Sequence, residues 1–170
     1  RRGYAFLGWF TQETGGTQVD GNTVFKEVAS TTYYAHWEEA TVFSVIVPAV
    51  LPVTVDQNGK VYVSNAEIVN HSTAAVQVSS VTLTAENGWT LVPYASDMSH
   101  AKVDSNQIGF MINNAQTCKT GNTEQFVLTS PWKIAEEDSL TLTYDAVVSA
   151  LSQPVTNANI LRVLFVVEWA

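Results

Sequence analysis

Histidine, cysteine and carboxylate side chains are the groups with which this sequence of 170 residues could hold a metal or move a proton. Its three histidines, His36, His71 and His100, lie far apart and form no H-x-H or H-x-x-x-H pair, so their spacing predicts no zinc site. The stretch DQNG (56–59) resembles the start of an EF-hand loop but lacks the remaining ligands and the closing Glu. The sequence therefore predicts no metal site and no cofactor.

Two runs of adjacent carboxylates are candidates for a general acid and base: Glu38 with Glu39, and Glu136 with Glu137 and Asp138. In an extended chain neighbouring side chains point to opposite faces, so neither run converges on one substrate. The sequence also contains no G-x-S-x-G motif, no Cys–His signature and no glycine-rich phosphate loop. We therefore predict no catalytic residues and no enzyme.

Covalent chemistry concerns Cys118 and Lys60. Cys118 is the only cysteine, which excludes an intrachain disulfide, and its loop NAQTCKTGN favours a small semi-polar residue over a reactive thiol. A Lys–Asn isopeptide bond requires a buried lysine, a buried asparagine and a nearby carboxyl group. Lys60, Asn70 and Glu67 are the candidates, although the position of Lys60 directly after a turn favours exposure.

The net charge of −8 and the scattered lysines exclude a clustered basic surface, which a nucleic-acid partner requires. Membrane insertion is also not predicted, because no apolar run approaches the roughly 20 residues that span a bilayer. Since the sequence has no initiator Met and no signal peptide, we expect a processed product or an excised fragment.

Short segments rich in Val, Thr, Tyr and Phe alternate with Gly, Asn, Asp and Thr, a pattern typical of an all-β protein. The pairs Asn58–Gly59 and Asn87–Gly88 each predict a tight hairpin turn, because both residue types accept positive φ angles. Residues 94–106 predict a helical turn. The predicted strands are 4–10, 23–26, 31–37, 41–47, 50–55, 60–64, 66–70, 75–84, 89–92, 107–112, 124–128, 139–148 and 160–168.

A change in composition near residues 38–41 predicts two modules, residues 1–39 and residues 40–170. The first is dense in aromatic residues and Gly, and the second alternates Val, Thr and Ser as expected of an antiparallel β-sandwich of Greek-key or jelly-roll type. Because almost no linker separates them, we expect semi-rigid packing or stacking of the two modules.

The segment GYAFLGWF (3–10) provides the candidate binding surface. Strict alternation puts Phe6 on one side of this strand and Leu7 and Trp9 on the other, so the strand is apolar on both faces. Exposed aromatic surface of that size indicates binding or assembly. With the apolar strand 160–169 as a second candidate, the predicted interface residues are Tyr4, Phe6, Leu7, Trp9, Phe10, Leu164, Phe165 and Val166.

Residues 3–37 contain the motifs GY-x-F-x-GW-[YF], T-x-x-x-GG and a closing YAHW, with Tyr33 in place of the usual Leu. In these motifs the segment resembles the Listeria-Bacteroides repeat of the internalin B type. The resemblance implies a β-grasp-like module of long extracellular bacterial proteins, here truncated because the repeat's leading strands and helix do not precede the GY block. We expect Trp9 and Trp37 to pack in its core.

Residues 48–72 contain P-x-x-LPV-x-VD-x-NG-x-V followed by I-x-N-x-S. Here the chain is similar to bacterial surface β-sandwich proteins of the TasA and camelysin kind. That resemblance implies an extracellular sandwich, in some members assembled into fibres by strand exchange.

Together these features predict an extracellular structural protein of the bacterial cell surface. We expect a self-assembling pilus or fibre subunit joined to other copies by strand complementation, with residues 3–10 inserted into a neighbour. The alternative is an adhesion or spacer module of a larger cell-wall protein, whose partners would be other surface proteins.

Overall fold

The computed structural model describes residues 3–24, 30–55 and 61–170. Within them the chain is built of β-strands and one short 3-10 turn at Met98–His100, which confirms the all-β prediction. No helix in these ranges is long and apolar enough to cross a bilayer. The strands are β1 Tyr4–Phe10, β2 Gln18–Val19, β3 Tyr34–Glu39, β4 Val45–Ile46, β5 Val53–Val55, β6 Val61–Val63, β7 Ala66–Asn70, β8 Val76–Ala85, β9 Thr90–Leu91, β10 Gln107–Ile112, β11 Ala115–Gln116, β12 Thr123–Ile134, β13 Ser139–Leu142, β14 Tyr144–Val148 and β15 Leu161–Trp169.

The chain divides into two compact units, Arg1–Phe43 and Ser44–Ala170, which we name the N-terminal unit and the C-terminal unit. The division follows Phe43, whereas the composition placed the boundary between Glu39 and Ala40. The N-terminal unit contains a three-stranded antiparallel sheet in the order β2-β1-β3.

The C-terminal unit is sandwich-like. One sheet has the order β12-β8-β15, and another has the order β11-β10-β14 with β9 also paired to β10. A third sheet, β13-β7-β4, and the pair β5-β6 complete the unit. Alternate residues of these strands meet in one apolar core, which includes Ile68, Val76, Val78, Val81, Leu83, Leu91, Ile108, Phe110, Ile112, Ile134, Leu142 and Tyr144.

The turn at Asn87–Gly88 forms as predicted, but the hairpin does not. Both residues have positive φ, 53° and 80°, and the N–H of Trp89 donates to the carbonyl of Glu86. However, β9 then pairs in parallel with β10, while β8 pairs with β12 and β15. The turn therefore carries the chain from one sheet to the other, because turn residues fix local dihedrals and not the partner strand.

Other differences have similarly local causes. The predicted strand 139–148 is divided at Thr143 into β13, which pairs with β7, and β14, which pairs with β10. The strand predicted to end at residue 128 continues as β12 to Ile134, past a register irregularity between Val127 and Trp132. The Asn58–Gly59 turn and part of the predicted strand 23–26 lie outside the described residues.

Thr117 joins three segments of the second sheet. Its side chain is buried, and its Oγ1 accepts from the N–H of Phe110 at 3.0 Å and donates to the carbonyl of Val92 at 2.6 Å. Its own N–H donates to the carbonyl of Phe110, and its carbonyl accepts from Tyr94. The Thr117 hydroxyl thus pairs the N–H of Phe110 and the carbonyl of Val92, two backbone groups in the gap that β9 and β11 leave along β10.

We predict that Thr117→Val, which keeps the side-chain shape, lowers the free energy of unfolding of the C-terminal unit by about 1–3 kcal/mol. The cost is that of leaving a buried N–H and a buried C=O without a partner. Urea denaturation followed by circular dichroism measures it.

The matched control is Thr141→Val, the same chemical change at an exposed position of β13. It should alter stability by less than about 0.5 kcal/mol. Equal effects of the two substitutions would contradict the role assigned to the Thr117 hydroxyl.

Candidate functional site

The candidate surface of the N-terminal unit is built on the strand pair β1–β3. The two strands pair antiparallel along their whole length, with Tyr4 opposite Glu39 at one end and Phe10 opposite Tyr34 at the other. Strand β2 pairs with β1 at Trp9 and Phe10. β1 is therefore the central strand of this sheet.

A β-bulge in β1 changes which residues share a face. Phe6 lies opposite Trp37 and Gly8 lies opposite His36, so Leu7 is the extra residue. Gly8 has a φ of 132°, a conformation that favours glycine. The side-chain amide of Gln18 donates to the carbonyl of Leu7 at 2.8 Å and so satisfies a backbone group at the bulge.

Three aromatic rings consequently lie together on one face of the sheet. The centroids of Phe6 and Trp9 are 5.8 Å apart in an edge-to-face arrangement, and those of Phe6 and Trp37 are 5.0 Å apart. Phe6 is 49% exposed, Trp9 51% and Trp37 37%. We name this set, Phe6, Trp9 and Trp37, the aromatic face.

Two predictions about these rings are wrong. Strict alternation put Phe6 and Trp9 on opposite sides, whereas the bulge brings them to the same side. Trp9 and Trp37 were expected in the core, yet each keeps more than a third of its surface in solvent. Sequence reasoning missed Trp37 as a surface residue, although a glycine inside an aromatic strand is a signal for a bulge.

The remaining N-terminal candidates lie elsewhere on the sheet. Phe10 stacks on the His36 ring, with centroids 4.1 Å apart and planes inclined by 9°. His36 Nε2 is 2.9 Å from the carbonyl oxygen of Gln12, which gives this histidine a structural contact. Leu7 is exposed at the bulge, and Tyr4 is partly buried at the start of β1.

The pairing of β1 bears on the predicted donation of residues 3–10 as a strand. We expected residues 3–10 to present an unpaired edge that inserts into a neighbouring sandwich. In the structure β1 is paired with β3 throughout, and on the other side with β2 at Trp9 and Phe10. Donation of β1 to another copy would therefore require its own sheet to open.

The C-terminal candidates divide between the two faces of β15. Leu164 and Val166 are exposed, whereas Phe165 packs against the core of the C-terminal unit. β15 pairs with β8 along its full length. The predicted site residues therefore lie on both units, and Phe165 contributes to the core of the C-terminal unit and not to its surface.

The titratable residues singled out in the sequence do not converge. His71 Nδ1 lies 3.5 Å from Glu137, and His100 Nδ1 lies 3.4 Å from Asp97, at separate places. Across residues 3–24, 30–55 and 61–170, no group of three or more His, Cys, Asp or Glu side chains is placed to hold a metal ion. Cys118 is exposed, and its backbone N–H donates to the Glu124 carboxylate at 3.0 Å.

Two tyrosines of the C-terminal unit act as hydrogen-bond donors. The pKa of Tyr94 is raised because its hydroxyl donates to Asp145 Oδ2 at 2.8 Å. Burial raises the pKa of Tyr144, whose hydroxyl donates to the carbonyl of Pro52 at 3.0 Å. In each case the protonated hydroxyl makes the contact.

Asn70, the candidate for an isopeptide bond, is buried with its amide fully used. Its Nδ2 donates to the carbonyls of Ala74 at 3.0 Å and Ala135 at 2.8 Å, and its Oδ1 accepts from the N–H of Ser72 at 2.8 Å. These bonds hold the turn after β7 against the end of β12. Lys60, the other candidate, lies outside the described residues.

Comparison with protein-family models, with curated proteins and with solved structures gave no match to this chain.

We predict that Gly8→Ala lowers the stability of the N-terminal unit by about 1–3 kcal/mol, the cost of a side chain in a strained backbone conformation. A Cβ at this position would also lie 2.5 Å from Gln18 Nε2 and disturb its bond to Leu7. The indole N–H signals of Trp9 and Trp37 in NMR spectra report the loss on heating.

Gly21→Ala is the matched control, because an added Cβ there meets no atom within 4 Å and the backbone is not in the positive-φ region. Its melting should stay close to that of the unaltered chain. If both variants melt alike, the bulge does not depend on glycine.

Proposed function

We propose that this chain is a structural subunit of a bacterial cell surface, which joins copies of itself through the aromatic face of its N-terminal unit. The observation that carries the proposal is the exposure of Phe6, Trp9 and Trp37 on one face of a small sheet. Contiguous exposed aromatic surface is uncommon on monomeric proteins and marks interaction sites.

The composition of this face supports a protein partner. Aromatic side chains are enriched in protein–protein interfaces, because each ring buries a large area with few rotatable bonds. The Phe6 ring already contacts both indoles, at centroid distances of 5.8 Å to Trp9 and 5.0 Å to Trp37. The three rings therefore lose little conformational freedom when a partner covers them.

The placement at a bacterial surface is supported by the two resemblances of the sequence. The YAHW strand and the GYAFLGW strand that carry the first resemblance are β3 and β1, the same strands that carry the aromatic face. An all-β chain with exposed aromatic rings on one face of a sheet is compatible with a structural role. These features together support a protein that acts through its contact surfaces.

The mode of contact differs from the predicted insertion of residues 3–10. Because β1 pairs with β3 along its whole length, we propose contact through the side chains of the aromatic face and not the donation of β1 as a strand. This mode leaves the sheet of each copy intact.

An adhesive module of a larger cell-wall protein is the second candidate. The same pairing of β1 favours it, since a strand that is held in its own sheet presents its side chains to any partner. The two candidates differ in what the aromatic face contacts, a second copy or a different surface component.

We predict that Trp9→Thr weakens self-association of the full chain at least about 30-fold in Kd, the effect of removing a central interface aromatic. The unit should remain folded, because threonine is favourable in strands and half of the indole is already in solvent. Sedimentation velocity measures the association, and NMR reports the fold.

Val24→Ser is the control, since Val24 is an exposed apolar residue of the same unit outside the aromatic face. It should leave association unchanged. If Trp9→Thr associates normally but no longer binds isolated bacterial cell walls, the adhesive candidate replaces self-assembly. If both activities survive Trp9→Thr, the aromatic face is not the working surface and the proposal fails.

A further inference from the structure

Strand β15 is an edge strand with an unusually regular form. In the part of the chain that the structure describes, it pairs with β8 on one side and with no strand on the other. It is nine residues long, and the irregularity in its pairing with β8 falls at Ser79 of β8, so β15 itself continues without a bulge. Long, straight edges are templates for pairing with another chain.

The hydrogen-bonding groups along this edge can be assigned by alternation. The carbonyl of Ile160 accepts from Glu86 at 2.9 Å, and the N–H of Ala170 donates to Ala75 at 3.1 Å, both on the side of β8. Even-numbered residues of β15 therefore direct their backbone groups towards β8. Val163, Phe165 and Val167 direct theirs away from it.

The side chains of β15 alternate between the two faces of the sheet. Odd-numbered residues, Leu161, Val163, Phe165 and Val167, pack against the core. Even-numbered residues are exposed: Leu164, at 58%, and Val166 lie between Arg162 and Glu168. The outer face of β15 thus has a basic end, an apolar centre and an acidic end.

This order is self-complementary. Arg162 and Glu168 are equally distant in sequence from Phe165. When two copies of β15 pair antiparallel about Phe165, Arg162 of each lies opposite Glu168 of the other, and Leu164 lies opposite Val166. Cross-strand pairs of opposite charge and of aliphatic side chains are the contacts that stabilise antiparallel sheets.

The backbone requires the same register. In it Val163 lies opposite Val167 and Phe165 opposite Phe165, so residues whose N–H and C=O point outwards form the hydrogen-bonded pairs. The charged and aliphatic pairs then occupy the non-hydrogen-bonded positions, where opposite side chains lie closest. A shift of one residue would place outward-pointing groups opposite inward-pointing ones and core side chains opposite exposed ones.

Other registers lose the charge pairs. A shift of two residues in either direction places one of Arg162 and Glu168 opposite an aliphatic residue of β15 and the other opposite a residue beyond the end of the strand. In-register parallel pairing would place Arg162 of one copy beside Arg162 of the other, and Glu168 beside Glu168. The intrachain bonds do not prevent the antiparallel register: Arg162 contacts Glu86 through Nε and Nη2, which leaves Nη1, and Glu168 accepts at Oε1 from Gln77 at 3.2 Å.

We propose that β15 of two copies pair antiparallel about a two-fold axis at Phe165, so that the β12-β8-β15 sheets of both copies become one continuous sheet. The occupant of this edge is a second copy of the chain, selected by the matching order of charged and aliphatic residues. The contact lies on the C-terminal unit and stands independently of the function proposed for the aromatic face.

The first experiment is a charge exchange in the full chain, with dimerisation measured by sedimentation equilibrium. Arg162→Glu and Glu168→Arg should each weaken the dimer about 10-fold or more, because each creates two like-charged pairs across the symmetric contact. The double variant Arg162→Glu with Glu168→Arg should recover dimerisation. An equimolar mixture of the two single variants should form heterodimers, since every charge pair across that contact is again attractive.

The second experiment separates the two edges of the same sheet. Leu164→Lys should abolish the dimer, whereas Val127→Lys, at a position 74% exposed on the outer face of β12, should not. Hydrogen exchange gives a residue-level signature: the amides of Val163, Phe165 and Val167 should gain protection with concentration, while those of Leu164 and Val166 are already protected by β8.

A chain that stays monomeric at about 0.5 mM overturns the proposal and leaves the edge to a strand of a different protein. So does a mixture of the single variants that forms no heterodimer, or an equal effect of Leu164→Lys and Val127→Lys. The last two outcomes leave the aromatic face untouched, because that face lies on the other unit, whereas a chain that stays monomeric also contradicts self-assembly through the aromatic face.

Discussion

The C-terminal unit depends on one buried strand, β8, that has a partner on each side. Its inward side chains Val76, Val78, Val81 and Leu83 are fully buried, and its backbone pairs with β12 and β15 along its length. Because both edges of β8 are occupied, the chain that leaves it at Asn87–Gly88 cannot form a hairpin with β8, and β9 pairs with β10 of another sheet. The same arrangement makes β12 and β15 the edge strands of this sheet, so the exposed surface of the unit follows from the pairing of its most buried strand.

In the N-terminal unit a single backbone irregularity has the corresponding role. The extra residue Leu7 moves the side chains that follow it in β1 to the opposite faces of the sheet. Glycine at position 8 adopts the φ that this bulge requires without strain. Without the bulge Phe6 and Trp9 would lie on opposite faces of the sheet. With it, Phe6 and Trp9 lie on one side of the sheet together with Trp37, while Phe10 stacks on His36.

What the sequence could predict was local. The strands 66–70 and 107–112 have the predicted bounds, because alternation and flanking turn residues define them completely. The sequence could not predict the strand partners, because β9 and β11 are each two residues long and are held beside β10 by contacts that include the Thr117 hydroxyl. The exposure of Trp37 was also not predictable, since the pattern of a strand shows which side is apolar and not whether another element covers it.

The two surfaces have different consequences for assembly because of symmetry. A two-fold contact through β15 uses the same edge of both copies and therefore closes at the dimer. Growth into a fibre requires a second contact between copies, and the aromatic face, on the other unit, offers one. If that face instead binds a different surface component, the β15 dimer carries two such faces and binds bivalently, which raises its apparent affinity without any new contact. Fibre subunit and adhesin thus differ only in the partner of Phe6, Trp9 and Trp37, and the pairing of β15 serves either function.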